Sequence, residues 1–205
     1  METKQVPISV YAESTPNPDV MKFVCNRAIN PGDSVEFKNI EEAQLSPLCA
    51  QIYNFPFVKE VFLAKNFISI TKFNIIEWED VVMEVREFIR EYVASGKEII
   101  SLPVVSEEEG VSPEESTSSL MKDVEPETDI EKKIVDILEE FVRPAVESDG
   151  GNISFRKYDH GIVTVALQGA CSGCPSASVT LKQGIETMLK QMLPGQIEAV
   201  IAEEL

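Results

Sequence analysis

The sequence is poor in several residue types, and their scarcity restricts what this protein can be. Its 205 residues include one histidine, one tryptophan and four cysteines, and no run of about 18 apolar residues that would predict a transmembrane helix. The first 20 residues lack both the charged-then-apolar pattern of a secretory signal and the Arg-rich character of an organellar transit peptide. We therefore expect a cytoplasmic protein, located in the cytosol of a prokaryote.

Basic residues are also scarce. The chain has 18 Lys and Arg against 35 Asp and Glu, which gives a formal net charge of −17. A negative field of this size repels phosphate groups, so neither nucleic acid nor an anionic membrane is expected as a partner. With 43% apolar residues the composition is that of a globular protein, and its charge favours basic protein partners.

A change of composition divides the chain. Residues 101–128 are rich in Ser, Glu and Pro and contain no aromatic residue. Such a segment cannot bury enough apolar surface to offset the entropy lost on ordering. We therefore predict two domains, residues 1–100 and 129–205, joined by a flexible acidic linker over residues 101–128.

The first domain mixes predicted strands and helices. Apolar residues spaced by three and four from Trp78 to Tyr92 predict a helix that ends near Gly96, and a shorter helix is predicted around 46–53. Three runs rich in Val, Ile and Phe predict strands, the last two forming a hairpin with a two-residue turn. These runs are Met21–Cys25, Val58–Ala64 and Phe67–Thr71.

The second domain has the predicted order helix–strand–strand–helix–strand. Thr128 and Glu131 have the spacing of a capping box, and Pro144 is expected to end or kink the helix that follows. Gly150 and Gly151 permit a sharp reversal into a strand hairpin over 152–168. A helix after Cys174 and a strand over 196–201 complete the domain. The fold class is therefore α/β in the α+β sense, with two small two-layer domains.

Cys171 and Cys174 form a C-x-x-C pair where a predicted strand meets a predicted helix. Free N–H groups and the helix dipole are expected to stabilise thiolates there, the form that binds metal and attacks disulfides. A tetrahedral zinc site or a four-iron cluster needs about four protein ligands, whereas this domain offers two. Two copies would supply four thiolates across a twofold axis. Cys25 and Cys49 are expected to be buried apolar residues, and His160 a turn residue.

The pair alone leaves several functions open. Metal or cluster binding, dithiol redox chemistry and chemically inert cysteines all use this spacing, and thioredoxin-like pairs also lie at a helix N-terminus. The predicted element order lacks the βαβ opening of the thioredoxin fold. A dimer held together by zinc is a purely structural alternative.

The residues around the pair carry a resemblance to a known family. Arg143-Pro144-Ala145, Ser148-Asp149-Gly150-Gly151 and the run from Leu167 to Ser176, LQGACSGCPS, resemble the NifU-like C-terminal domain of Nfu proteins. This resemblance implies a labile iron–sulfur cluster, typically [4Fe–4S], bridging two subunits through Cys171 and Cys174. It implies a carrier that hands clusters to apo-proteins rather than an enzyme.

The N-terminal half carries a second resemblance, to the Nfu N-terminal domain. The matching residues are Thr15-Pro16-Asn17-Pro18, Met21-Lys22-Phe23, Phe55-Pro56 and Val58-Lys59-Glu60-Val61-Phe62, while Phe57 stands where a glycine is expected. Together the two resemblances imply a homodimer formed through the cluster. Its implied partners are upstream cluster donors and apo iron–sulfur client proteins.

Overall fold

A computed structural model of the chain describes residues 7–101, 126, 128–172 and 175–204. The chain divides into two compact units, one of residues 1–13 and 23–121 and one of residues 14–22 and 122–205. Nearly all of the predicted linker, residues 102–125 and 127, lies outside the described residues, and the domain boundaries at 100 and 129 stay predictions. The elements are β1 Val10–Ser14, β2 Val20–Cys25, β3 Val35–Phe37, α1 Pro47–Ile52, β4 Val58–Leu63, β5 Phe67–Lys72, α2 Trp78–Ala94, α3 Asp129–Ile137, α4 Arg143–Ser148, β6 Gly151–Asp159, β7 Ile162–Gly169, α5 Pro175–Met192 and β8 Ala199–Glu204.

The N-terminal half contains a five-stranded sheet with the strand order β1-β2-β5-β4-β3. Strands β4 and β5 pair antiparallel, and the Ala64 N–H donates to the Phe67 carbonyl at 2.9 Å across the predicted two-residue turn. Large apolar side chains from several elements are fully buried, which places the core between the sheet and its helices. They include Phe23, Phe37, Leu48, Ile70 and Ile89.

Both predicted helices of this half are confirmed. Ser46 caps α1, and its side chain accepts a hydrogen bond from the Cys49 N–H at 3.2 Å. Pro47 lies in the first turn, where a backbone N–H would have no partner within the helix, so proline costs no hydrogen bond there. Helix α2 buries Val81, Val85 and Ile89 on one face. It ends before Gly96, whose φ of 69° lies in the left-handed region that glycine adopts without strain.

The first helical run of the C-terminal half begins as predicted and continues further than predicted. Thr128 and Glu131 form a reciprocal capping box, in which the Glu131 carboxylate accepts from the Thr128 N–H at 2.8 Å. The sequence predicts that Pro144 ends or kinks this helix, and the helical run does not end there. A π-helical turn over Leu138–Val142 leads directly into α4, and Pro144 lies in the first turn of that helix. Proline disrupts an α-helix because it has no N–H for the hydrogen bond to residue i−4. The π-helical turn does not use that bonding pattern, so the chain stays helical through Pro144.

Three strands in the order β6-β7-β8 form the second sheet. Strands β6 and β7 pair antiparallel around a turn in which His160 has a φ of 47° and Gly161 a φ of 87°, the left-handed conformations of a tight hairpin turn. Strand β8 pairs parallel with β7, and α5 makes the crossover connection that a parallel pair requires. The predicted helix–strand–strand–helix–strand order and the α+β class are therefore confirmed. In the part of the chain that is described, no helix is both long and apolar enough to span a membrane.

Candidate functional site

Cys171 lies in a tight turn between the end of β7 and the start of α5. Gly169, the last residue of β7, has a φ of 67°. The Ser172 N–H donates to the Gly169 carbonyl at 3.0 Å, and the Ser172 hydroxyl donates to the same oxygen at 2.7 Å. These two bonds fix the backbone on both sides of Cys171.

The glycine pair at the start of β6 lies beside this turn. Gly150 has a φ of 86°, and its carbonyl accepts from the Ala170 N–H at 3.2 Å. Gly151 pairs with Gly169 across the sheet. The Gly150–Gly151 reversal and the cysteine turn are therefore parts of one arrangement, although 20 residues separate Gly151 from Cys171 in the sequence.

Gly151 provides the space that the Cys171 side chain occupies. A Cβ atom at position 151 would lie 2.9 Å from the Cys171 Sγ and 2.6 Å from the Gln168 carbonyl oxygen, both closer than real Cβ atoms approach. Sequence reasoning assigned Gly151 to the reversal alone and missed this contact. The structure separates the two glycines: only Gly150 lies at positive φ, so the reversal does not by itself explain Gly151.

The Cys171 thiol is covered and held in its neutral form. The residue is 7% exposed and packs in the core of its unit. Burial, and after it the negative charge of Asp149, raises the pKa of Cys171 to about 11. For Cys171 the loss of solvent therefore sets the direction of the pKa shift, and the expected thiolate stabilisation by the helix N-terminus stays a prediction. A protonated thiol is a poor nucleophile, and metal binding must displace its proton.

The partner cysteine of the motif is not placed. Gly173 and Cys174 lie outside the described residues. Among described residues, no group of three or more His, Cys, Asp and Glu side chains could hold a metal ion. His160 is 97% exposed at its side chain in the hairpin turn, as predicted for a turn residue.

The two remaining cysteines are buried in the N-terminal half, as predicted. Cys25 is 2% exposed and Cys49 is fully buried, and both are free thiols. Burial raises the pKa of Cys25 to about 11, against the opposing charge of Arg27, and that of Cys49 to about 12. What the described residues can offer a metal or cluster is thus one thiol per chain at the β7–α5 turn.

Both halves of the chain are similar to known proteins. Residues 10–96 match the family described as scaffold protein Nfu/NifU N terminal, and residues 134–201 match the NifU-like domain. The chain is 34% identical over 184 residues to "NifU-like protein 4, mitochondrial" of Arabidopsis thaliana, covering 88% of this chain and 61% of that protein. It is 32% identical over 192 residues to "NFU1 iron-sulfur cluster scaffold homolog, mitochondrial" of Homo sapiens, covering 93% of this chain and 70% of that protein.

One further relative and one solved structure are also similar to the chain. The protein named as the NFU1 homolog of Drosophila willistoni is 33% identical over 192 residues, with 93% of this chain and 62% of that protein covered. An NMR structure of a NifU-like protein from Saccharomyces cerevisiae is 24% identical and covers 49% of this chain and 91% of its own, with a TM-score of 0.43. The chain thus spans less than two thirds of the length of the Arabidopsis and Drosophila relatives.

These names overturn one prediction. The Arabidopsis, human and Drosophila relatives are all named as mitochondrial proteins, so the prediction of a cytoplasmic location is wrong. That prediction depended on the lack of a leader pattern in the first residues. Because the relatives are longer than this chain, the pattern of those residues says nothing about location.

Family membership follows from the two matches and the relatives together. The N-terminal match precedes the NifU-like match, the order that the sequence resemblances predict. The human relative exceeds 30% identity, and the match covers more than two thirds of both proteins. The chain therefore belongs to the Nfu family.

Proposed function

We propose that this chain is an iron–sulfur cluster scaffold or carrier. It binds a labile [4Fe–4S] cluster between two subunits and transfers it to apo-proteins. The observation that carries this proposal is the position of Cys171, on an ordered turn at the start of α5 in a NifU-like domain. The printed names of the relatives, which call them iron–sulfur cluster scaffolds, support the same role.

Ligand counting supports a site shared by two chains. A four-iron cluster takes about four thiolates, and the C-x-x-C pair of each chain supplies two, Cys171 and Cys174. The other two cysteines are buried in the N-terminal half, and the described residues contain no group of three or more His, Cys, Asp and Glu side chains that could hold a metal ion. The ligands are therefore Cys171 and Cys174 of each subunit in a homodimer.

The state of the Cys171 thiol supports transfer rather than permanent storage. In the cluster-free chain this side chain is covered and its pKa lies well above neutral. Binding a cluster costs the free energy of exposing and deprotonating the thiol. Releasing the cluster to a client recovers that free energy, so the cluster-free state favours handover. Cysteines of the acceptor complete the step by ligand exchange, with no enzymatic turnover of a substrate.

The two domains have separate roles in this proposal, one in cluster binding and one in partner recognition. In this proposal the NifU-like domain, residues 129–205, carries the cluster, and the Nfu N-terminal domain, residues 1–100, recognises upstream donors and apo client proteins. The negative net charge of the chain makes nucleic acid and anionic membranes unfavourable partners.

Single substitutions test the proposal. Cys171→Ser or Cys174→Ser leaves two thiolates per dimer, too few for a cubane, so each variant should lose the visible absorbance of the cluster after anaerobic reconstitution. Cys25→Ser and Cys49→Ser are the matched controls and should keep it, because both thiols are buried in the core of the N-terminal half.

The two rival functions give different outcomes in the same four variants. A dithiol oxidoreductase would show disulfide reductase activity that depends on Cys171 and Cys174, in protein that never takes up iron. A zinc-held dimer would release zinc and melt at a lower temperature when either cysteine is replaced. Either result would refute the carrier proposal.

A further inference from the structure

The loop between β5 and α2 exposes two large apolar side chains. Phe73 is 47% exposed and Ile75 is 71% exposed, and Ile76 beside them is half-buried. We call residues 73–76 the apolar loop. A single exposed apolar residue is ordinary, but two within three residues of a short connection form a patch that water solvates poorly.

Backbone hydrogen bonds, one of them to the buried residue Phe57, hold the apolar loop in place. The Phe73 N–H donates to the Phe57 carbonyl at 2.8 Å, and the Ile75 N–H donates to the Phe73 carbonyl at 2.8 Å. Phe57 is itself buried, with its ring centroid 5.5 Å from that of Phe55 and 6.1 Å from that of Trp78. A loop fixed in this way loses little conformational entropy when a partner covers it.

An acidic rim adjoins the apolar loop. Between residues 73 and 85 there are four acidic residues and no Lys or Arg. All four are exposed: Glu77, Glu79, Asp80 and Glu84. Glu79 and Asp80 lie in the first turn of α2, where they also stabilise the helix dipole. Glu77 is the N-cap residue of α2, where a negative charge is also favourable, so the helix dipole leaves only Glu84 and the exposed apolar pair unaccounted for.

We infer that the apolar loop and its acidic rim form a docking surface for a basic amphipathic segment of a partner protein. The apolar side of such a segment covers Phe73 and Ile75, and its Lys and Arg residues lie against the rim. A second copy of this chain would bring an identical acidic rim to the same place, where like charges repel. An anionic membrane is repelled for the same reason.

Docking here can be tested apart from the proposed cluster, because the apolar loop belongs to the N-terminal unit and Cys171 and Cys174 belong to the C-terminal unit. The surface can therefore be tested on the cluster-free chain. A failure of this inference would leave cluster binding by Cys171 and Cys174 untouched, and a failure of cluster binding would leave this surface untouched.

The probe is a fluorescently labelled Leu/Lys peptide of about five helical turns with one apolar and one basic face. Its binding to the full cluster-free chain is followed by anisotropy. The double variant Phe73→Ser with Ile75→Ser should weaken binding about tenfold or more, as loss of central apolar anchors does. Glu77→Gln with Glu79→Gln should weaken it less and reduce its salt dependence, because only charge is removed.

Matched controls separate a docking surface from general stickiness. Tyr11→Ser removes an exposed aromatic, 50% exposed on β1, and should leave binding unchanged. A Leu/Glu peptide of the same length should not bind. Circular dichroism checks the fold, and if the double variant is destabilised, Ile75→Ser alone carries the test because that side chain is mostly in solvent.

Several results would overturn the inference. Equal binding by the double variant and the parent chain, or by the Leu/Lys and Leu/Glu peptides, would show that this patch is not the site. Light scattering that finds a dimer of cluster-free protein, dissolved by Phe73→Ser with Ile75→Ser, would assign the patch to self-association. Binding to phosphatidylserine-containing vesicles that the same variant abolishes would assign it to a membrane surface.

Discussion

Gly150 and Gly151, at the start of β6, fit their positions for different reasons. Gly150 has a φ of 86°, a conformation that costs most other residues free energy. Gly151 is not at positive φ, and its requirement comes from the neighbouring Cys171 Sγ and Gln168 carbonyl. One glycine is needed for its backbone angles and the other for its lack of a side chain, so a substitution tests them separately.

Gly151→Ala should destabilise the C-terminal unit and disturb the cysteine turn. The new Cβ would lie 2.6 Å from a backbone oxygen, which cannot move without opening the Gly151–Gly169 pair. We expect a loss of about 1–3 kcal/mol in the free energy of unfolding, the usual effect of an overpacked site. Urea denaturation measures that loss, and peptide mapping after alkylation should find Cys171 modified faster than in the parent chain.

Gly184→Ala is the matched control. Gly184 lies within α5, is exposed, and would meet no heavy atom within 4 Å of an added Cβ. The same substitution there should stabilise the helix by about 0.5–1 kcal/mol, since alanine loses less backbone entropy. If both variants shifted in the same direction, the contact between Gly151 and Cys171 would not explain the first.

The buried thiols of the N-terminal half should make the protein sensitive to alkali. Burial raises the pKa of Cys49 to about 12 and that of Cys25 to about 11, from an ordinary value near 9 in the unfolded chain. At a pH between the unfolded and the folded pKa, a thiol loses its proton in the unfolded state and keeps it in the folded state. The free energy of unfolding is therefore unaffected below pH 9 and falls above it, by at most about 1.4 kcal/mol per pH unit for each thiol.

Urea titrations at a series of pH values from neutral to strongly alkaline measure this slope. Cys49→Ala removes the more deeply buried thiol and should give a shallower slope above pH 9 than the parent chain. The slope is the readout, because the substitution also lowers stability at every pH by leaving a small cavity. Identical slopes in the two proteins would show that Cys49 ionises outside this range.

At the level of helices and strands, the sequence predicted the features that depend on a few adjacent residues, and it missed two of the strands. The capping box of Thr128 and Glu131, the glycine end of α2 and the turn between β4 and β5 each depend on a few adjacent residues, and all are confirmed. Strand β3 was missed because three buried residues show no period. Strand β1 was missed because it begins buried and then has mostly partly or fully exposed residues.

Tertiary packing decided the remaining elements. Pro144 predicts a helix end in isolation, yet the π-helical turn before it keeps the run helical while Val142 and Val146 are buried against the sheet. The position of Cys171 between strand and helix was predictable from the sequence. Its burial was not, because the direction of that side chain depends on Gly151, a residue distant in sequence whose lack of a Cβ creates the space.

At the level of the whole molecule, charge opposes the assembly that the proposed site needs. Each chain carries a formal net charge of −17, so two chains that share a cluster repel each other at long range. Attachment of four thiolates to one cluster is local and strong, whereas this repulsion is distributed and screened by salt. Cluster binding should therefore hold the dimer together, and the cluster-free chain should be monomeric.

Anaerobic reconstitution should yield about one [4Fe–4S] cluster per two chains, from the requirement for four thiolates. Iron, sulfide and protein assays give the ratio, and light scattering on the same sample gives the mass. The dimer fraction should rise between low salt and about 0.15 M, where the screening length falls to about 8 Å, because the repulsion weakens while the cluster bonds do not. Chelation of the iron should return the protein to monomers. A cluster carried by a protein that stays monomeric would contradict the shared site, since one chain would then hold four iron atoms with only two thiolates from the β7–α5 turn.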